Sequence, residues 1–214
     1  MANTNLAFGL QPIQKFGSNV NNAGISGYTL YEIKNDNSNR IYQGSPVIPL
    51  STGFIDIVGA AAGGTVGLLG VFGGCEFVSS TTGKPVFSNQ WTGSGADSNF
   101  PIKAYVYDDP MQLYKIATDA SVTSEATLRG NVFANANFAA GASGSNTTGI
   151  SSAKLGVSTI ATTAALHLRI MGWQDDENNS DFTAAGIPVI VRLNNHFNSP
   201  NGAIVAGTPS TTGV

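Results

Sequence analysis

Charge is scarce in this chain. Asp, Glu, Lys and Arg make up 11% of its 214 residues, against about 25% in an average soluble domain. So few ionised groups leave the surface little to keep it solvated and separate from other protein. A structural or assembly role fits such a surface better than free solution does. Catalytic side chains are scarce too, with two His and one Cys. A single Cys75 excludes an internal disulfide framework and a cysteine-based zinc site; lying in Val71–Phe77, it reads as a small buried hydrophobe. Basic clusters are missing as well. The net charge is −3 and the ten Lys and Arg never form a run, which argues against nucleic acid as a partner. Long apolar runs are also absent. The most apolar stretch, residues 59–74, is repeatedly broken by glycine and falls short of the roughly 18 residues that span a bilayer. The first residues, Met1–Leu6, carry neither a basic nor an apolar signal segment, so neither membrane contact nor a signal peptide is expected.

What remains is glycine (26 residues) with Asn, Ser and Thr, threaded through short β-branched and aromatic runs. Residues 1–27 show no period and read as an extended N-terminal arm with one apolar patch, Leu6–Ile13. From residue 28 the period becomes two. Tyr28–Ile33, Phe54–Val58, Val66–Val78, Ile102–Tyr107, Leu113–Ile116, Leu166–Trp173 and Val189–Leu193 read as strands. Pro46 and Pro49 place the Arg40–Leu50 segment at a sheet edge. Thr81–Lys84 reads as a hairpin turn, and Asp108–Asp109–Pro110 as the turn of the strongest hairpin. Ser124–Ala140 stays open between helix and irregular structure because Gly130 and β-branched residues weaken a helix. About ten short strands with almost no helix predict an all-β sandwich or barrel over residues 28–206. A loop near 93–100 offers a subdivision point, and 207–214 read as a flexible tail.

No catalytic, cofactor-binding or metal-binding residue is expected. His167 falls on the polar side of a strand beside Arg169, and His196 ends a strand where His and Asn hydrogen-bond turn backbone. The acidic turns Asp108–Asp109 and Asp175–Glu177 lack the EF-hand pattern and leave a bound cation open. Gly63–Gly70 lacks the order of a phosphate loop, and no nucleophile elbow occurs. Trp91 and Trp173 could form a sugar-binding platform, although aromatics in period-two strands more often fill a core.

One ordered series of motifs carries a resemblance. Phe8–Pro12, Gly70–Phe77, Ala104–Pro110, Leu168–Trp173 and Val191–His196 follow one another across residues 6–197. The series resembles a group of tailed-bacteriophage virion proteins often encoded near the major capsid protein. The resemblance implies a head decoration, or cement, protein, made in the host cytoplasm and mounted as a homotrimer on the outside of an HK97-type capsid. Its partners would be the major capsid protein and itself, and it implies no catalytic residues. In that role the arm orders on a neighbour, with Phe8, Leu10, Pro12 and Ile13 as anchors. Another virion part (tail, fibre or head-completion protein) and a carbohydrate-binding β-sandwich are the alternatives.

Overall fold

Alternation of apolar and polar residues becomes strand nearly wherever it occurs. The computed structural model describes residues 3–4, 6–16, 27–60 and 67–199. Within them lie β1 (Gln11–Lys15), β2 (Thr29–Ile33), β3 (Ile41–Tyr42), β4 (Pro46–Pro49), β5 (Ile55–Ile57), β6 (Gly70–Val78), β7 (Pro85–Ser88) and β8 (Gln90–Trp91). They continue with β9 (Ile102–Tyr107), β10 (Gln112–Ala117), β11 (Asn135–Ala136), β12 (Phe138–Ala139), β13 (Lys154–Leu155), β14 (Leu168–Trp173) and β15 (Pro188–Leu193). The protein is all-β. The ambiguous segment after Val122 does supply one short helix, α1 (Glu125–Gly130), because the Ser124 side chain accepts the Thr127 N–H and caps its first turn. The tail at 207–214 and the arm residues 17–26 lie outside the described residues.

The first half of the chain closes a small barrel. Its strands follow the order β4-β5-β2-β9-β6, and β6 pairs back onto β4. β7 extends β6 as a hairpin through the Thr81–Lys84 turn. Ile33, Val47, Ile55, Phe72, Ile102 and Val106 fill the barrel, with Trp91 wholly buried among them. β4 therefore pairs on both sides, contrary to the edge position that its prolines suggest. The prolines are tolerated because they occupy its first and last positions, where a missing N–H interrupts little. Gly70 permits the closure: a Cβ there would collide with the Tyr107 carbonyl oxygen of β9.

The second sheet is open and five-stranded, ordered β1-β10-β15-β14-β11. Its inner face (Tyr114, Ile116, Leu168, Ile170, Val189, Val191) packs on the barrel wall through Ile48 of β4 and Val71 of β6. Val47 and Phe72, their chain neighbours, point into the barrel. The β4–β6 wall is thus buried on both faces.

Ile102–Ile116 is not a hairpin. β9 pairs with β2 and β6, whereas β10 pairs with β1 and β15. The two acids between them hold one sheet each. Asp108 accepts hydrogen bonds from Thr29 Oγ1 (2.8 Å) and Tyr31 Oη (2.7 Å) of β2, and Asp109 pairs with Lys15 Nζ of β1 at 2.6 Å. The change of sheet comes here; the 93–98 loop lies inside the barrel half, before β9.

Candidate interaction surface

The expected anchor residues dock on their own domain. Leu10 is buried in the core beneath the open sheet and donates its N–H to Gly44 O at 2.9 Å. Pro12 lies opposite Tyr114 as β1 pairs with β10, and Ile13 occupies the bulge that follows. Phe8 is half-buried, with Lys115 Nζ 5.5 Å from its ring centroid. Asn3 fastens the start of the chain: its Nδ2 donates to Asp181 O (2.8 Å) and Ala185 O (3.0 Å), and its Oδ1 accepts the Asp181 N–H. Residues 6–16 are therefore an edge segment of the sheet, and their exposed apolar side chains are Leu6 and Phe16 rather than Leu10. A lone leucine in a glycine- and asparagine-rich segment has no period that would mark it as core.

Among the described residues a group of exposed apolar side chains lies elsewhere, on the outer face of the barrel. Strand register builds that face in rows. Glu32, Lys103, Glu76 and Phe87 lie side by side across β2, β9, β6 and β7. In the next row stand Leu30, Tyr105 and Gly74. Tyr28 and Tyr107 follow, their hydroxyls 2.8 Å apart and their ring centroids 4.4 Å apart. Tyr28 also meets Tyr105 edge-on at 5.7 Å. Gly73, in the β6 bulge, makes room for this: a Cβ there would strike the Tyr28 ring. Phe87 is 71% exposed, Leu30 57%, Tyr28 51% and Phe100 48%, so the patch faces solvent rather than the core. Alternation assigns Tyr28 and Leu30 to a strand but does not tell the outer face from the barrel interior, since both carry large apolar groups; Phe100 falls in the loop before β9.

The chemistry of the face is that of contact. Tyr105 Oη donates to Glu76 Oε2 at 3.1 Å, and this bond holds the phenol above its ordinary pKa. Burial, then the bond with Tyr28, raises Tyr107. Both stay neutral and able to donate, which suits aromatic contact surfaces that are apolar on the ring and polar at the tip.

The expected chemical residues are dispersed. Trp91 is wholly buried, donating Nε1–H to Asn37 O at 3.1 Å, with Phe77 edge-on at 5.5 Å. It cannot serve a sugar platform. Trp173 is half-buried with the Arg129 guanidinium 4.9 Å over its ring. Cys75 is buried, its thiol pushed up to about 12 by desolvation. His167 Nδ1 meets the Asn195 amide. His196 is buried at the seam between barrel and sheet, where it bridges to Leu68. Its Nδ1 accepts the Asn198 N–H (3.1 Å), its Nε2 is enclosed without a partner, and burial pushes its pKa down to about 4. Among the described residues no group of three or more His, Cys, Asp or Glu is placed to hold a metal ion.

Comparison with protein-family models, with curated proteins and with solved structures returns no match.

Proposed function

We propose that this protein is a structural component of a tailed-phage head: a decoration protein that docks on the outer capsid surface as a homotrimer and clamps neighbouring capsomers. The observation that carries the reading is the exposed aromatic and aliphatic face of the barrel, Tyr28, Leu30, Phe87 and Phe100, on a chain with few charges. Exposed apolar patches of this kind mark protein contact. The motif series over residues 6–197 supplies the capsid as the partner. Clamping needs wide contact and no bond chemistry, and a trimer multiplies each modest contact through effective concentration. The anchors are Leu30 and Phe87 in place of the buried Leu10.

The test is the copy number of the protein in purified virions, by quantitative gel or cryo-electron microscopy. Copies near-stoichiometric with the major capsid protein are expected. A handful of copies would move the protein to the tail or portal, and absence from the particle would overturn the reading.

A further inference from the structure

Arg169 of β14 and Arg192 of β15 lie directly opposite each other. Like charges in that position repel, and a chain with only ten basic residues has no need to put two of them there. The row continues to Leu113 of β10 on one side and Asn135 of β11 on the other, both buried. Arg169 is oriented but not neutralised: its Nε donates to Asn135 Oδ1 at 3.0 Å, and Asn135 is itself held by a bond to Thr163 O. Arg192 has less. Its Nε is enclosed with no partner, and burial, then the neighbouring Arg169, hold its pKa below the usual arginine value. The three ion pairs among the described residues involve other groups, Lys15–Asp109, Lys34–Asp36 and Arg129–Glu125. Both arginines are partly exposed, so a ligand can reach them from outside.

The opposite imbalance sits just past the end of the same strand. Asp175, Asp176 and Glu177 follow Trp173, and none is in an ion pair among the described residues. Asp176 caps its own turn, accepting from Asn178 N and Asn179 Nδ2. Asp175 and Glu177 are exposed.

We propose that Arg169 and Arg192 form a carboxylate clamp that receives Asp175 and Glu177 from a second copy of this chain. Paired guanidinium forks match carboxylates in bidentate geometry, and an acidic side chain between them turns a repulsive pair into an attractive site. A polyanion such as nucleic acid fits less well, because it needs an extended basic field and this row runs into Leu113. Clamp-to-acid pairing can run reciprocally across a two-fold axis or head-to-tail; the homotrimer of the proposed function selects the head-to-tail arrangement, in which a closed ring satisfies every copy. The inference rests on the homotrimer of the proposed function, not on the capsid.

The experiment is sedimentation velocity of the purified full-length chain at low and high salt, with far-UV circular dichroism to verify folding. Wild type is expected to form a salt-sensitive ring. R169Q/R192Q, and separately D175N/E177Q in the exposed turn, should each weaken association by about tenfold or more. R169E/R192E should fail to assemble, and adding D175K/E177K to that chain should restore the ring. A wild type that stays monomeric, or neutralised variants that associate like wild type, overturns the clamp. Loss with the arginine variants but not with D175N/E177Q overturns the second copy as its occupant. Near-stoichiometric copies on particles from a chain that is monomeric in solution sink the clamp and leave the shell reading standing. Clamp-dependent rings absent from particles do the reverse.

Discussion

The barrel and the open sheet solve the same problem in opposite ways. The barrel has no free ring edge, because β6 returns to β4, and all its ring strands lie between residues 29 and 107. The sheet keeps two edges. One is β1, carrying Pro12 and a bulge; the other is β11, only two residues long. Both are devices that stop edge-to-edge association. The outer surfaces differ too: the barrel carries Tyr28, Leu30 and Phe87 beside a row of charges alternating in sign, Glu32, Lys103 and Glu76, whereas the sheet sets two like charges, Arg169 and Arg192, opposite each other. Closure leaves the ring strands no free edge, and β7, paired on one side with β6, is the barrel's open flank. The sheet answers its open edges with short or interrupted strands, and the charges on its face meet a like charge where those on the barrel alternate in sign.

Four perturbations probe that contrast. Trp91→Ala should cost the most, about 3–5 kcal/mol, because it removes the largest buried side chain of the barrel. Chemical denaturation followed by the remaining tryptophan, Trp173, reads whether the sheet unfolds with the barrel; coincident loss is expected from the shared β4–β6 wall, and two separate transitions would split the molecule at that wall. Leu10→Ala should cost about 2–5 kcal/mol, since Leu10 belongs to the core under the sheet. A cost near zero in the same assay would return residues 6–16 to the status of a free arm.

Acid probes the seam. His196 has a folded pKa of about 4 and an unfolded value near 6.5. The unfolded chain therefore binds more protons between those values, and the contribution of His196 is intact above pH 6.5 and lost as pH falls toward 4. Roughly 3 kcal/mol is at stake across that window. Asp108 and Asp109 act against the shift. Denaturation midpoints from pH 7 to 4 should fall in wild type and flatten in His196→Asn, whose Oδ1 can stand in for Nδ1; parallel slopes would remove His196 from the seam's acid response. The smallest stability effect belongs to the contact face. Leu30→Asp with Phe87→Ser should stay within about 0.5 kcal/mol for each exposed site and, on the proposed decoration role, lower occupancy on particles; unchanged occupancy would clear this face of docking.

Local patterns in the sequence reach strands and turns. Ile102–Tyr107 has the bounds its alternation gives, and Thr81–Lys84 turns β6 into β7. Alternation puts Leu166, Leu168 and Ile170 on the core face; Leu168 and Ile170 are buried there, whereas Leu166, ahead of β14, is only partly buried. What fails is partner choice. Asp108–Asp109–Pro110 has the residues of a hairpin turn, yet the two strands flanking it enter different sheets, because Thr29, Tyr31 and Lys15 each claim one of the acids. Pro46 and Pro49 signal an edge, but their effect depends on which N–H groups the ladder uses. Leu30 on the surface and Ile33 in the core look alike until closure decides their faces. The Arg169–Arg192 pair is invisible locally, since its members are brought together by pairing alone.

The strand order carries a consequence for how the chain is made. β15, the last strand described, lies in the middle of the open sheet, between β10 and β14. All strands of the barrel ring, by contrast, have left the ribosome once residue 107 has emerged. Synthesis therefore presents a barrel able to form early, while β1, made first, must wait for a partner sheet whose centre is made last. Contacts of such long sequence separation form slowly, and domains completed first fold first on the ribosome. During that interval Leu10 and the wall residues Ile48 and Val71 are uncovered, so the nascent chain is most prone to aggregate before its final strand arrives.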